Sequence, residues 1–116
     1  MTKLTLLLAR GPGKPDGDVT DRLVLCLMLT PGGQIDTDAY FVAPEPWLAF
    51  REQGGREPRK LEVIRIEEGW ALQSINGEDD PIWTFDGNVF RPGEVVALRR
   101  PDHQEFLFRI VSAEPD

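Results

Sequence analysis

From Arg22 to Thr30 the chain carries two interleaved apolar sets, Leu23, Leu25, Leu27 and Leu29 on one side of an extended strand and Val24, Cys26 and Met28 on the other. A strand that is apolar on both faces reads as a central strand covered on both sides. Lys3–Ala9 repeats the alternation with Leu4, Leu6 and Leu8 on one face, and Gly11, Pro12, Gly13, Pro15 and Gly17 then force a loop. After the central strand, Pro31, Gly32 and Gly33 supply a turn, and Ala39–Val42 reads as a short returning strand.

The segment 44–52 is the one place where a helix is predicted. Pro44 and Pro46 suit a first turn, and Trp47, Leu48 and Phe50 cannot share one strand face. The polar run from Arg51 to Lys60, with Gly54, Gly55 and Pro58, reads as a surface loop. Leu61–Ile66 and Trp70–Ile75 then read as paired strands around Glu67, Glu68 and Gly69. Because Leu61 and Val63 alternate against Ile64 and Ile66, the first of them calls for a bulge or a second buried face. Asn76–Pro81 is an acidic turn. Ile82–Phe85 followed by Asp86-Gly87-Asn88, Val89 and Phe90 has the pattern of a tight hairpin. Glu94–Arg99 and Glu105–Ser112 form a last hairpin around Pro101–Gln104, setting Val96 and Leu98 against Phe106, Phe108 and Ile110.

Hairpins in succession, without helical crossovers, predict an all-β fold: an antiparallel sandwich or partly open barrel of about eight short strands, with at most one short helix near residues 44–52. No linker or repeat divides the chain, so residues 1–116 read as a single compact β domain, long enough to bury a core without metal or disulfide. The 10 prolines and 11 glycines lie between apolar runs and act as turns. A single cysteine excludes an intrachain disulfide. The apolar start, Met1–Ala9, is too short and too interrupted for a signal peptide or membrane span. A cytoplasmic protein is expected.

The net charge of -7 is spread along the chain: residues 1–58 carry six Lys/Arg against eight Asp/Glu, and residues 59–116 carry seven against twelve. The best basic cluster, Arg99 and Arg100, is flanked by Asp102 and Glu105. Nucleic-acid and anionic-membrane partners are therefore not expected, since both need clustered cations. An acidic chain suits a basic or neutral partner.

Candidate chemistry is sparse. Gly11, Gly13 and Gly17 follow a strand as in a phosphate turn, but prolines interrupt them and no helix follows. Asp16, Asp18 and Asp21, like Glu78, Asp79 and Asp80, lack calcium-loop spacing and read as solvated turns. His103, the one histidine, falls in a turn, and Cys26 falls in the most hydrophobic strand as a small buried hydrophobe, so neither a triad nor a zinc site assembles. The pairs Glu67–Glu68 and Asp79–Asp80 are adjacent in predicted turns, where the desolvation that general acid–base work needs is not expected. Arg91, Arg99, Arg100 and Arg109 have acidic neighbours and read as surface pairs. No catalytic, cofactor-binding or metal residues are expected, and no enzyme.

What remains is the apolar segment Ala43–Phe50, with Trp47, Leu48 and Phe50 as candidate interaction residues. Aromatic residues on such a segment either anchor a partner or fold down to plug a barrel end. The leading expectation is a non-catalytic protein-interaction or accessory domain that binds a protein partner or a second copy as a homodimer, through this segment or an exposed sheet edge. The alternative is a small-molecule-binding β-barrel with Trp70, Trp83 and phenylalanines lining its cavity.

Overall fold

A computed structural model describes residues 1–67, 69–75, 83–86 and 89–115. Its elements are β1 (Thr2–Arg10), β2 (Asp18–Leu27), α1 (Thr37–Val42), β3 (Trp47–Gln53), β4 (Arg59–Ile66), β5 (Gly69–Ser74), β6 (Trp83–Asp86), β7 (Val95–Arg99) and β8 (Glu105–Pro115). Each strand pairs antiparallel with the next, and β8 pairs back onto β1, so the sheet closes as an eight-stranded up-and-down barrel. Of the two expected architectures the barrel is the one present, and it is closed rather than partly open.

Closure explains the two-faced apolar strand differently from a covering layer. Leu23, Leu25 and Leu27 point inward and are fully buried, together with Leu4, Leu6 and Leu8 of β1. Val24 and Cys26 point outward and are only half-buried, because the outside of a closed barrel meets solvent. The same alternation fills the interior from Ala49, Leu61, Val63, Leu72, Phe85, Val96, Leu98, Phe108 and Ile110. Each fully buried side chain of this kind contributes about 1.5–3 kcal/mol by transfer from water.

Two elements lie elsewhere than the pattern predicted. The helix is at Thr37–Val42, where a short strand was expected, and residues 47–53 form β3 where a helix was expected. Asp36 accounts for the first, because its carboxylate accepts the Ala39 N–H at 3.0 Å and caps the turn. For the second, Trp47, Ala49 and Arg51 face inward while Leu48 and Phe50 face outward, so the apolar residues need no common face. Arg51 and Glu52 thereby belong to a strand and not to the following loop.

Three further expectations are amended. β4 needs no bulge: its register with β5 runs unbroken from Leu61↔Ser74 to Ile66↔Gly69, with Ile64 half-buried outside. β6 pairs with β7 rather than with Val89 and Phe90; Gly87 and Asn88 of the expected hairpin, like Ile82 and the turn at 76–81, lie outside the described residues. The loop after β1 packs tightly, since Gly17 has φ +80° and a Cβ there would stand 2.3 Å from the Leu8 carbonyl oxygen, which only glycine avoids.

The barrel has unlike ends. At one, Tyr40 of α1 sits edge-on to Trp47 and Trp70, with ring centroids 5.0 and 4.9 Å away, and those two indoles stack at 6.2 Å. The buried Phe90 joins them, its N–H donating to the Gly33 carbonyl at 2.8 Å. At the other end the β7–β8 turn holds His103 at φ 68° and Arg51 faces inward.

Replacing Leu25 by Ala should cost about 2–5 kcal/mol and Trp47 by Ala about 3–5 kcal/mol, since each leaves a cavity in a filled barrel. Val24→Ala, on the outward face of the same strand, should cost under about 1 kcal/mol. Urea denaturation compares the three; equal losses at positions 24 and 25 would contradict the inward and outward assignment.

Candidate functional site

The residues singled out by sequence do not converge. Cys26 lies near the end of β2 on the outer surface, half-buried instead of enclosed, whereas the exposed His103 is in the turn at the opposite end of the barrel. Asp18 is engaged by Lys14 and by the N–H and hydroxyl of Thr20. The hydrogen bond from Lys14, followed by those from Thr20, holds its carboxyl well below the usual carboxylate range. Asp21 points the other way, into the barrel, and among the described residues no group of three acidic, His or Cys side chains could hold a metal. Glu68, Glu78, Asp79 and Asp80 lie outside the described residues.

Trp47 lies beneath the surface. It is 2% exposed and plugs the barrel end under Tyr40, and its Nε1 is the one buried side-chain polar atom without a hydrogen-bond partner among the described residues. Leu48 and Phe50, its neighbours in β3, are half-buried on the outer surface. Phe50 stands directly across from Val24 of β2, and Cys26 follows two residues on. Two grooves, of about 260 and 390 Å³, run along this face and share Cys26 and Phe50. Pro44, Pro46, Leu48 and Met1 extend the second.

The site that sequence reasoning missed is at the other end, inside the barrel. Arg51 Nε and Nη2 donate to the two carboxylate oxygens of Asp21 at 3.2 and 3.0 Å, a bidentate pair with side chains only 7% and 4% exposed. The guanidinium lies over Trp83, Phe106 and Phe108, its carbon 4.8, 5.4 and 5.6 Å from their ring centroids. Such an aromatic box offsets part of the cost of withdrawing the cation from water. A pocket bounded by Arg51, Arg59, Leu61, Leu72, Ser74 and Trp83 opens beside it and encloses about 10 Å³, the room of one water molecule. The parity of β2 and β3 held the signal: Asp21 continues the inward Leu23, Leu25, Leu27 series, and Arg51 continues Trp47 and Ala49.

The arginines near the last hairpin behave differently from one another. Arg99 donates to Glu105 at 2.8 Å and to Asp86 at 3.4 Å, and its bond to Glu105 is the largest of the causes that raise its pKa. Arg100 instead lays its guanidinium over Trp83, 5.2 Å from the ring centroid.

Removing one partner of the internal pair should be far costlier than removing a surface pair. Asp21→Ala should destabilise by about 3–5 kcal/mol, because it strands a buried cation, while Glu52→Ala, which breaks the exposed Arg22–Glu52 pair, should cost less than about 1 kcal/mol. Joint replacement of Asp21 by Leu and Arg51 by Met should recover most of the loss, and a double variant no more stable than Asp21→Ala alone would count against the pairing. No family model matches this chain, and neither a curated protein nor a solved structure is found to be similar to it.

Proposed function

We propose that the chain is a non-catalytic protein-interaction domain that docks through the outer face of β2 and β3. The observation that carries this reading is the apolar strip of Val24, Cys26, Leu48 and Phe50, on a surface where the flanking outward positions are Lys3, Arg22, Glu52, Lys60 and Glu62. Outward strand positions of a solvated sheet are ordinarily polar, and contiguous apolar residues rimmed by charge are characteristic of docking surfaces. Trp47 supports the strip from beneath as part of the core, so Leu48 and Phe50 take the anchoring role.

Closure narrows the mode of association. Each of the eight described strands has a neighbour on each side, so among the described residues no sheet edge is open to an added strand and the partner is held by side-chain contacts. With a net charge of -7, a basic or neutral partner is favoured over a second copy, since two copies repel. Charged residues around the barrel exterior and the single cysteine accord with a protein working in the cytoplasm away from lipid and nucleic acid; no helix among the described residues is long and apolar enough to cross a membrane. The alternative of a small-molecule-binding barrel has less support, because Trp47, Phe85, Phe108 and the leucines occupy the interior.

Phe50→Glu is the discriminating variant. The new carboxylate would face Lys60 across the β3–β4 ladder, so the urea midpoint should stay within about 0.5 kcal/mol of the parent. Partner capture from the native host, quantified by mass spectrometry beside sedimentation of the purified chain, should show at least about tenfold weaker association, or about 1.4 kcal/mol. A variant that retains its partner as well as the parent does would remove this face from consideration.

A further inference from the structure

We infer that the two grooves on the β2–β3 face form one trough of fixed polarity, which takes a short partner segment that is apolar in its middle, acidic at one end and basic at the other. This rests on the interaction reading and adds to it the chemistry of the occupant.

Three observations carry it. First, the grooves of about 260 and 390 Å³ meet at Cys26 and Phe50, so Val24, Phe50 and Leu48 lie along one continuous apolar course. Second, each groove is lined by one exposed charged side chain that has no ion pair among the described residues. In the first it is Lys3, since Arg22 is held there by Glu52. In the second it is Glu45, the one charged residue among the described lining. Glu114 stands across from Lys3 on β8 without forming an ion pair with it. The β4 rim repeats the order, because Glu62 lies across from Leu48, which lines only the second groove, and Lys60 lies across from Phe50, toward the first. Third, the outer walls are stiff: Pro44 and Pro46 bound the second groove and Pro58 bounds the first. A wall with fixed φ loses little freedom when a partner settles against it.

The spacing sets the length of the occupant. Lys3 pairs across to Cys26, β3 lies one strand further, and Glu45 precedes Leu48 by three residues, so strand spacings of about 4.8 Å and a rise of about 3.3 Å per residue put the two charges at most roughly 14 Å apart. An extended segment of five residues spans about 13 Å between its ends. Its acidic end meets Lys3, its basic end meets Glu45, and its apolar middle covers Phe50 and Cys26. Such a segment is neutral as a whole, and a segment with two like charges would repel one end of the trough.

Three capped pentapeptides test this, with leucine, phenylalanine and leucine in the middle and terminal residues that are glutamate and lysine, two lysines or two glutamates. Followed by carbon-13 NMR of the Val24 and Leu48 methyl groups, the mixed peptide should bind with a dissociation constant on the order of millimolar, and the two others at least about threefold more weakly. Lys3→Glu should turn the preference to the two-lysine peptide and Glu45→Lys to the two-glutamate peptide, with urea midpoints unchanged because both positions are exposed. Phe50→Glu should weaken the mixed peptide at least about tenfold. Equal affinity for the three peptides, or preferences that neither charge reversal moves, would overturn the polarity and leave the face standing if Phe50→Glu still abolishes binding. No saturable shift at Val24 and Leu48, or binding indifferent to Phe50→Glu, would overturn both. Sedimentation that finds a dimer broken by either charge reversal would give the trough to a second copy and overturn the assignment of a partner segment.

Discussion

The pairing of β8 with β1, from Thr2↔Pro115 to Arg10↔Leu107, turns eight successive antiparallel strands into a closed barrel. Once that seam forms, each strand has a hydrogen-bonding neighbour on both sides and exactly one of its two faces is enclosed. An eight-stranded ring leaves an interior just wide enough for side chains to fill, and the leucines of β1 and β2 with Trp47, Phe85 and Phe108 fill it. The register shifts at Thr5/Leu6 and Leu8/Arg10 show where the seam bends to close.

A closed tube must still be stopped at both ends, and this chain uses two different chemistries. At one end the connection between β2 and β3 folds back as α1 and sets Tyr40 against Trp47 and Trp70, with Phe90 joined to Gly33 from the β6–β7 side. At the other, Arg51 and Asp21 form a desolvated pair under Trp83 and Phe106. The first end is closed by apolar area. The second carries a bidentate ion pair, in which removal of either partner would leave an uncompensated buried charge.

Side chains of the described strands fill the lumen, whereas the outside of β2 and β3 retains apolar residues that interior packing does not consume. Val24, Cys26, Leu48 and Phe50 lie outward by parity alone, because their neighbours on each strand are claimed by the core. The same parity brings a cation to the barrel mouth, since the last inward position of β3 that the ring can cover is Arg51.

Strand alternation made much of this legible in the chain itself. Leu4, Leu6 and Leu8, the leucines from 23 to 27, Val96 with Leu98, and Phe108 with Ile110 announced all-β pairing because a period of two is a local property of the backbone. The turn at Pro101–Gln104 was equally local. Residues 37–53 were not: whether Ala39–Val42 or 44–52 forms the helix depends on the Asp36 cap and on Trp47 having a barrel end to plug. Nor could Asp21 and Arg51 be matched, being 30 residues apart and each flanked by turn-like sequence. Sequence alone determined which residues alternate and hence that strands pair; only the tertiary structure decided which of the two apolar faces of β2 is inside, because that choice is made by the closure of β8 on β1, a contact between the two ends of the chain.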